Sequence, residues 1–265
     1  MGKTKIEWAG HSWNPLLVRE GGRFGCTKVS PGCLNCYASG LNKRLWSGRE
    51  YDYNFGNWQF TLNEKILNQP LHRKESTIYF VCSMCDLFHE NVPLKLVEKM
   101  YRGMSDCPQH LFLLLTRRPR MYDQKVYDFC EEYPCRELGG GDYLPNLWLG
   151  TSAENQEMWD KRVPQLLSCV AARYFVSVEP MLGPIDMCLD LVTKDRPHVE
   201  WVICGGESGA NARPMNPEWA QSLRDQCVKY DVSFFFKQWG GKNKRAAGRL
   251  LDGIEWNQRP VWEPR

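Results

Sequence analysis

Three cysteines lie close together in the loop GCTKVSPGCLNCYASG, residues 25–40. Cys26, Cys33 and Cys36 have the spacing C-x6-C-x2-C, and Tyr37 directly follows the last of them. Thiolates are soft ligands that bind zinc or iron–sulfur clusters. A structural zinc ion takes four ligands, whereas three thiolates on a four-iron cluster leave one iron open to a small molecule. The pattern therefore indicates a metal centre that takes part in chemistry.

Two other interpretations of this loop stay open from the residues alone. Cys82 and Cys85 in CSMC form a second C-x2-C pair, which would complete a four-thiolate zinc site. CSMC continues an apolar run, however, so we expect a strand whose side chains alternate in direction, not the compact turn of a zinc knuckle. The other interpretation is three buried thiols that bind nothing.

The whole chain has 265 residues, is 43% hydrophobic and carries a net charge of +3. We expect a single domain over residues 1–265, because this length buries a core without cross-links. The twelve cysteines lie mostly singly, as is typical of free thiols in a reducing compartment. Since there is no stretch of roughly 18 apolar residues, we expect no membrane association and a cytoplasmic protein.

Six apolar runs predict strands, and each is followed by a polar or glycine-bearing stretch. The runs are TIYFVCS, HLFLLLT, LWLGTS, RYFVSVE, WVICGG and VSFFFKQ, and the predicted helices cover about 93–105, 119–133, 154–168 and 216–230. Continuous apolar runs are typical of parallel strands that are covered on both faces. With a further strand in 4–18, we predict an α/β fold, a full or partial (β/α) barrel of six to seven parallel strands, with an open doubly wound sheet as second choice. Residues 45–60 are interpreted as an insertion and 240–265 as a less regular tail.

Polar residues gather where the six runs end, which strand propensity does not explain. They are Ser83, Asp86, Thr116, Arg117, Arg118, Thr151, Ser152, Glu154, Ser177, Glu179, Glu207, Lys237 and Gln238. In parallel α/β folds the carboxyl edge of the sheet is where ligands bind. We therefore expect these side chains to surround one shared site.

The cysteine loop resembles that of radical S-adenosylmethionine (SAM) enzymes, whose commoner spacing is C-x3-C-x2-C. Further motifs follow in order along the chain and resemble one phage-type branch of that superfamily, whose cysteine loop has the spacing C-x6-C-x2-C-Y. Among characterised relatives, the sequence is most similar to the bacterial queuine lyases. They are IEWAGHSWNP, SMCDLFHENVP, LLTRRPRM, LWLGTSAEN, SVEPMLGPID, WVICGGESGANARPM and FFFKQWG. The resemblance implies a barrel of the radical SAM type.

The resemblance also implies two cofactors, a 4Fe-4S cluster and SAM. Cys26, Cys33 and Cys36 would ligate iron, and Tyr37 would lie against the adenine. Cleavage of SAM would yield a 5′-deoxyadenosyl radical, with electrons from a donor such as flavodoxin or ferredoxin. Further implied SAM contacts are Ser152 and Glu154 to the ribose and methionyl groups, Thr116 and Glu179 as additional candidates, and the carbonyls of Ser83 and Met84 in place of the superfamily's glycine-rich motif.

Queuine, a deazaguanine with an aminomethyl-linked cyclopentenediol, is the substrate that the resemblance implies. Gly205 and Gly206 would let the base approach the backbone, and Glu207 would accept hydrogen bonds from its guanine-type edge. The other predicted contacts are Lys237 or Gln238 to the ring carbonyl, and Asp86, Asn14 or Arg118 to the diol. Asp86 or Glu207 would act as the acid when the carbon–nitrogen bond breaks and releases 7-aminomethyl-7-deazaguanine.

Two other functions remain as alternatives. One is radical modification or repair of a nucleic acid, because the basic segments TRRPR and GGKNKR could contact phosphates. The small net charge makes it less favoured than a small-molecule substrate. The other is a zinc-stabilised binding module without catalysis.

Overall fold

A curled sheet of seven parallel strands forms a half-barrel in the computed structural model, which describes residues 4, 6–18, 23–45, 59–132, 143–188 and 197–264. The strands are β1 (His11–Trp13), β2 (Leu16–Val18), β3 (Phe60–Leu62), β4 (Ile78–Val81), β5 (Leu111–Thr116), β6 (Leu147–Ser152), β7 (Arg173–Val178), β8 (Val199–Gly205), β9 (Ser233–Gln238), β10 (Leu250–Leu251) and β11 (Ile254–Glu255). The helices are α1 (Tyr37–Leu45), α2 (Glu64–Leu67), α3 (Leu94–Ser105), α4 (Pro119–Glu132), α5 (Gln156–Ser168), α6 (Pro217–Lys229) and α7 (Lys244–Ala247). The half-barrel has the order β1-β4-β5-β6-β7-β8-β9, and every neighbouring pair is parallel.

The predicted α/β fold with a partial barrel is confirmed. Each of the six apolar runs forms one strand of the half-barrel, and the four predicted helices are α3, α4, α5 and α6. Local signals set the helix ends. At the start of α6, Asn216 accepts a hydrogen bond from the Glu218 amide, and Pro217 occupies the first helical position, where its missing amide costs nothing.

Both faces of the half-barrel are buried, which explains the continuous apolar runs. On β5, Phe112 and Leu114 belong to the cluster under the helices, whereas Leu111 and Leu113 belong to an aromatic-rich cluster on the other face. We call these the convex face and the concave face of the sheet. The concave cluster includes Trp8, Phe80, Trp148, Phe175, Trp201, Ile203 and Phe235.

The expectation that CSMC continues a strand is wrong. The strand β4 ends at Val81, and residues 82–85 form a turn in which the Cys85 amide donates to the Cys82 carbonyl at 3.1 Å. Cys82 has a φ of 51°, in the left-handed region, which ends the extended conformation. Asn14 stabilises the turn, since its Oδ1 accepts from the Met84 amide at 3.2 Å. A turn forms here because the Met84 amide donates to the Asn14 side chain and not to a carbonyl of a neighbouring strand.

The N-terminal segment forms one edge of the sheet, and the C-terminal segment contacts the other. Within 4–18 there are two strands, of which β1 pairs with β4 and β2 pairs with β3 in a separate antiparallel ribbon. The predicted irregular tail contains α7 and the β10–β11 hairpin, and its Trp256 carbonyl accepts from the Phe236 amide on the outer strand β9. This contact shields the edge of the sheet from other chains.

Most of the predicted insertion 45–60 lies outside the described residues. Among the helices that the structure describes, none has the length and apolar character needed to cross a lipid bilayer.

Candidate active site

A cavity of about 390 Å³ opens at the carboxyl edge of the half-barrel. Its volume lies in the range of small-molecule sites. Most of the residues predicted for the site line this one cavity: Cys26, Cys33, Cys36, Tyr37, Ser83, Met84, Asp86, Thr116, Ser152, Glu179, Gly206, Glu207, Lys237 and Gln238. The other four, Asn14, Arg118, Glu154 and Gly205, are absent from its lining. The predicted site residues therefore gather at one edge of the sheet, although four of them do not line the cavity.

Glu154 holds the middle of the cysteine loop. Its side chain is fully buried, and its carboxylate accepts from the Gly32 amide at 2.7 Å, from Arg117 Nη1 at 2.8 Å and from Arg162 Nη1 at 3.1 Å. Burial alone would raise the pKa of Glu154, but the charge of Arg117, the hydrogen bonds and the charge of Arg162 hold this pKa below its usual value. Glu154 thus binds the loop, and its predicted contact with SAM stays a prediction.

Gly32 is needed where the loop meets this charge network. A Cβ atom at Gly32 would lie 2.9 Å from both Arg117 Nη1 and Glu154 Cδ, closer than real side chains approach. Arg117 Nη1 also donates to Ser30 Oγ at 3.1 Å, on the same turn of the loop. The loop therefore packs its backbone directly on an ion pair.

A second clamp holds the start of the loop through Arg118. Its guanidinium donates to Asp86 Oδ2 at 3.1 Å and to Glu90 Oε1 at 2.9 Å, and it also contacts the Thr27 hydroxyl. Asp86 accepts three further hydrogen bonds, from Thr116 Oγ1, the Arg117 amide and the Phe88 amide. Four donors on one carboxylate favour an orienting role for Asp86, and its predicted action as an acid stays untested.

A third clamp joins the end of β8 to the cysteine loop through Glu207. Its carboxylate accepts from Arg213 Nη2 at 2.5 Å, from Arg213 Nε and the Arg213 amide at 2.9 Å each, and from Asn35 Nδ2 at 2.9 Å. Arg213 also donates to the Pro31 carbonyl at 3.0 Å. Although burial opposes it, the hydrogen bonds from Arg213 and Asn35 lower the pKa of Glu207. An ionised Glu207 accepts protons better than it donates them, so its predicted acid role has no support from this geometry.

Tyr37 lies where the turn after β4 meets the first helix. About half of its side chain is exposed, and its hydroxyl donates to the Ser83 carbonyl at 2.5 Å. The Ser83 hydroxyl in turn exchanges hydrogen bonds with the Asn14 side chain. The hydroxyl therefore anchors the half-exposed Tyr37 ring at the cavity wall. The Ser83 carbonyl, predicted to contact SAM, is already in use by Tyr37.

The donor set of the cavity is of the kind that holds an iron–sulfur cluster. Cys26, Cys33 and Cys36 line the same cavity. Thiolates are the usual ligands of such clusters, and each would ligate a different iron, so three cysteines around a common space fit this group. Among the described residues, no group of three or more His, Cys, Asp or Glu side chains is placed to share one ion. Burial, with the Asp86, Cys36 and Cys33 charges, raises the pKa of Cys26 to about 12 against the opposing effect of Arg118. Metal binding at Cys26 must therefore release a proton.

An ion pair lies on the concave face below the loop. Lys237 Nζ of β9 contacts Glu179 Oε1, which follows β7, at 2.7 Å. Glu179 Oε2 accepts from Trp8 Nε1 at 3.3 Å and Ser177 Oγ at 3.1 Å. Phe80 and Leu115 line the same cavity and provide apolar surface. The space thus combines aromatic walls with a small number of polar groups, as ligand sites do.

Several residues at the site were not predicted as ligands. Trp8, Asn35 and Ser177 line the cavity, while Arg162 and Arg213 anchor carboxylates. Ser177 could have been predicted from the sequence, because it lies near the carboxyl end of the apolar run RYFVSVE. Arg162 lies inside α5, where the periodicity alone does not distinguish a buried arginine from an exposed one. Arg213 lies outside regular structure, and no local pattern marks its partner.

Comparison with known proteins places the chain in a family. A family model described as a protein of unknown function (DUF5131) matches residues 3–260. The chain belongs to the DUF5131 family. No curated protein and no solved structure matches the chain. Membership in the DUF5131 family extends over nearly the whole chain, so the cavity and its three clamps lie within the family's own region.

Proposed function

We propose that the protein is a radical SAM enzyme that acts on a small molecule, with queuine lyase as its sharpest form. One observation carries the proposal: Cys26, Cys33, Cys36 and Tyr37 line a single cavity at the carboxyl edge of a parallel half-barrel. Three thiolates beside an aromatic ring at this edge suit a cluster with an open iron and a nucleoside cofactor. When bound, the reduced cluster and SAM supply a radical that removes a hydrogen atom from the substrate.

The protein's own contribution is positioning and exclusion of water. Glu154, Asp86 and Glu207 fix the cysteine loop through their arginine partners, so the three sulfurs are presented by a preorganised backbone. Ser152 and Ser177 end neighbouring strands, line the cavity and offer hydroxyls to a ribose. Phe80 and Leu115 keep the lower part of the cavity apolar, which protects a reactive intermediate from solvent.

The volume of the cavity favours a small substrate over a nucleic acid. Its volume of about 390 Å³ suits a small molecule, whereas a nucleic-acid strand needs an open basic groove. The ring edge, amine and diol of queuine need donors and acceptors of the kinds that line this space. Radical modification or repair of a nucleic acid is the alternative, and consumption of an oligonucleotide but not of queuine would favour it.

Anaerobic reconstitution tests the proposal. The protein should take up about four irons per chain and become brown, and with a reductant such as flavodoxin it should cleave SAM to 5′-deoxyadenosine. With queuine present, 7-aminomethyl-7-deazaguanine should appear together with 5′-deoxyadenosine. One tightly held colourless zinc ion would contradict the superfamily, and SAM cleavage without loss of queuine would contradict the lyase alone.

A further inference from the structure

The ion pair between Glu179 and Lys237 crosses strand β8 at Gly205, a residue without a side chain. Glu179 follows β7, Lys237 belongs to β9, and Gly205 of the intervening strand β8 lies between them. A Cβ atom at Gly205 would lie 3.0 Å from Glu179 Oε1 and 3.4 Å from Lys237 Cβ. Glycine at this position therefore lets the two charged groups meet on the concave face.

Both members of the pair keep hydrogen-bonding capacity for a ligand. The carboxylate of Glu179 has about four acceptor positions, and Trp8, Ser177 and Lys237 use three of them. The ammonium of Lys237 has three donors, and Glu179 is its one partner among the described residues. Both side chains line the cavity, and they are 14% and 17% exposed. The pair thus presents an acceptor next to two donors.

Glu207, in contrast, has little capacity left. Its carboxylate already accepts four hydrogen bonds, three from Arg213 and one from Asn35. Binding a base there would break contacts that hold the cysteine loop. A donor and an acceptor for a ring edge are therefore available at Glu179 and Lys237 and not at Glu207.

The spacing and charge of the pair select a chemical class. Donor and acceptor atoms are 2.7 Å apart, which suits the neighbouring carbonyl oxygen and N–H of a lactam ring. The pair has no net charge, so a neutral ring meets no uncompensated charge, while a phosphate would meet the Glu179 carboxylate. The aromatic side chains of Trp8 and Phe80 in the same wall suit a planar ring.

We propose that Glu179 and Lys237 together read the lactam edge of a guanine-type base, with Lys237 donating to the ring carbonyl and Glu179 accepting from the ring N–H. This assignment rests on the proposed function for the presence of such a base, and it moves the recognition of the ring edge from Glu207 to the concave face. Gly205 serves the pair by leaving the space between its members open.

Calorimetric binding of 7-aminomethyl-7-deazaguanine tests the assignment, with the protein both as purified and after anaerobic reconstitution with SAM. Glu179→Gln and Lys237→Met should each weaken binding by about tenfold to a hundredfold, the loss expected for a hydrogen bond to a charged group. 7-Deazaadenine, which presents the reverse pattern of donor and acceptor, should bind the wild type at least about tenfold more weakly than the deazaguanine.

Glu200→Gln is the matched control. It makes the same chemical change in another ion pair of strands β7 and β8, with Arg173 at 3.1 Å, at the opposite edge of the sheet. It should leave the affinity for the base unchanged. The double variant Glu179→Lys with Lys237→Glu keeps the net charge but exchanges the positions of donor and acceptor. It should also bind the base more weakly than the wild type. Circular dichroism checks that the double variant is folded.

Equal affinity of wild type, Glu179→Gln and Lys237→Met for the base would overturn the assignment, as would equal binding of the two deazapurines. Iron uptake and SAM cleavage are measured on the same samples and report on the proposed function separately. Cluster formation and SAM cleavage without binding of the base would reject the lactam site alone. Binding of the base through the pair without iron uptake would reject the radical SAM proposal and support the lactam site.

Discussion

The two faces of the half-barrel differ in what they bury. The convex face packs aliphatic and aromatic side chains against α3, α4, α5 and α6. The concave face is filled by large rings at its lower end and by polar side chains around the cavity at its carboxyl edge. The two faces of one sheet therefore differ in what they border: the convex face packs only against other parts of the core, and the concave face also borders the cavity.

The largest expected contrast lies in metal uptake at the cavity. Cys33→Ala should abolish cluster assembly, because two thiolates do not hold a four-iron cluster at this loop. Cys85→Ala should keep the iron content of the wild type, since Cys85 lines the same cavity but lies outside the three-cysteine loop that is proposed to ligate the cluster. Iron and sulfide analysis after anaerobic reconstitution measures both. Equal loss of iron in the two variants would favour the four-cysteine zinc site instead.

Neighbouring leucines on β5 compare the two faces directly. Leu114 is fully buried on the convex face, whereas Leu115 lines the cavity. Leu114→Ala should lower the free energy of unfolding by about 2–5 kcal/mol, because it leaves a void under the helices. Leu115→Ala should cost less, because its side chain already borders open space. Urea denaturation of both variants measures the difference, and equal losses would mean that the faces contribute alike.

The contact between the cysteine loop and the segment that follows β4 should respond to acid through His89, which contacts the Thr27 hydroxyl at 2.9 Å. Burial and the nearby Arg118 lower the pKa of His89 from 6.5 to about 4. Between these values the unfolded chain binds a proton that the folded chain does not. Stability should therefore rise with pH across this window, by at most about 3 kcal/mol.

His89→Gln removes the titrating group and provides the comparison for that pH dependence. The difference in unfolding free energy between this variant and the wild type should change between pH 4 and 6.5 and stay constant above it. A difference that does not vary with pH would show that His89 has the same pKa in both states.

The smallest expected effects come from two glycines. A Cβ at Gly150 would lie 2.5 Å from the Phe175 ring on the concave face, so Gly150→Ala should destabilise by about 1–3 kcal/mol. A Cβ at Gly103 in α3 would meet Leu67 and Trp13 at 3.7 Å, an ordinary contact. Gly103→Ala should stabilise by up to about 1 kcal/mol, because alanine favours the helix. Thermal unfolding of both variants measures the opposite signs, and shifts of one sign would contradict the packing contrast.

Hydrophobic pattern and helix-end signals sufficed to predict the six main strands, their parallel arrangement and the four long helices. The site was predicted in outline, because the carboxyl ends of parallel strands must meet at one edge. CSMC was mispredicted because the decisive contact comes from Asn14, which is distant in sequence. The three clamps could not be predicted, since Arg162 and Arg213 have no local signal that names Glu154 or Glu207 as partner.

The sequence by itself determined that three thiols and an aromatic residue occupy one loop, and that polar residues end each strand of a parallel sheet. These features depend on local spacing and on the continuous apolar runs that form buried parallel strands. Only the tertiary structure decided which carboxylates hold the cysteine loop and which keep acceptor positions open toward the cavity. The reason is that a carboxylate's role depends on how many of its acceptor positions the surrounding donors already occupy, and those donors come from distant parts of the chain.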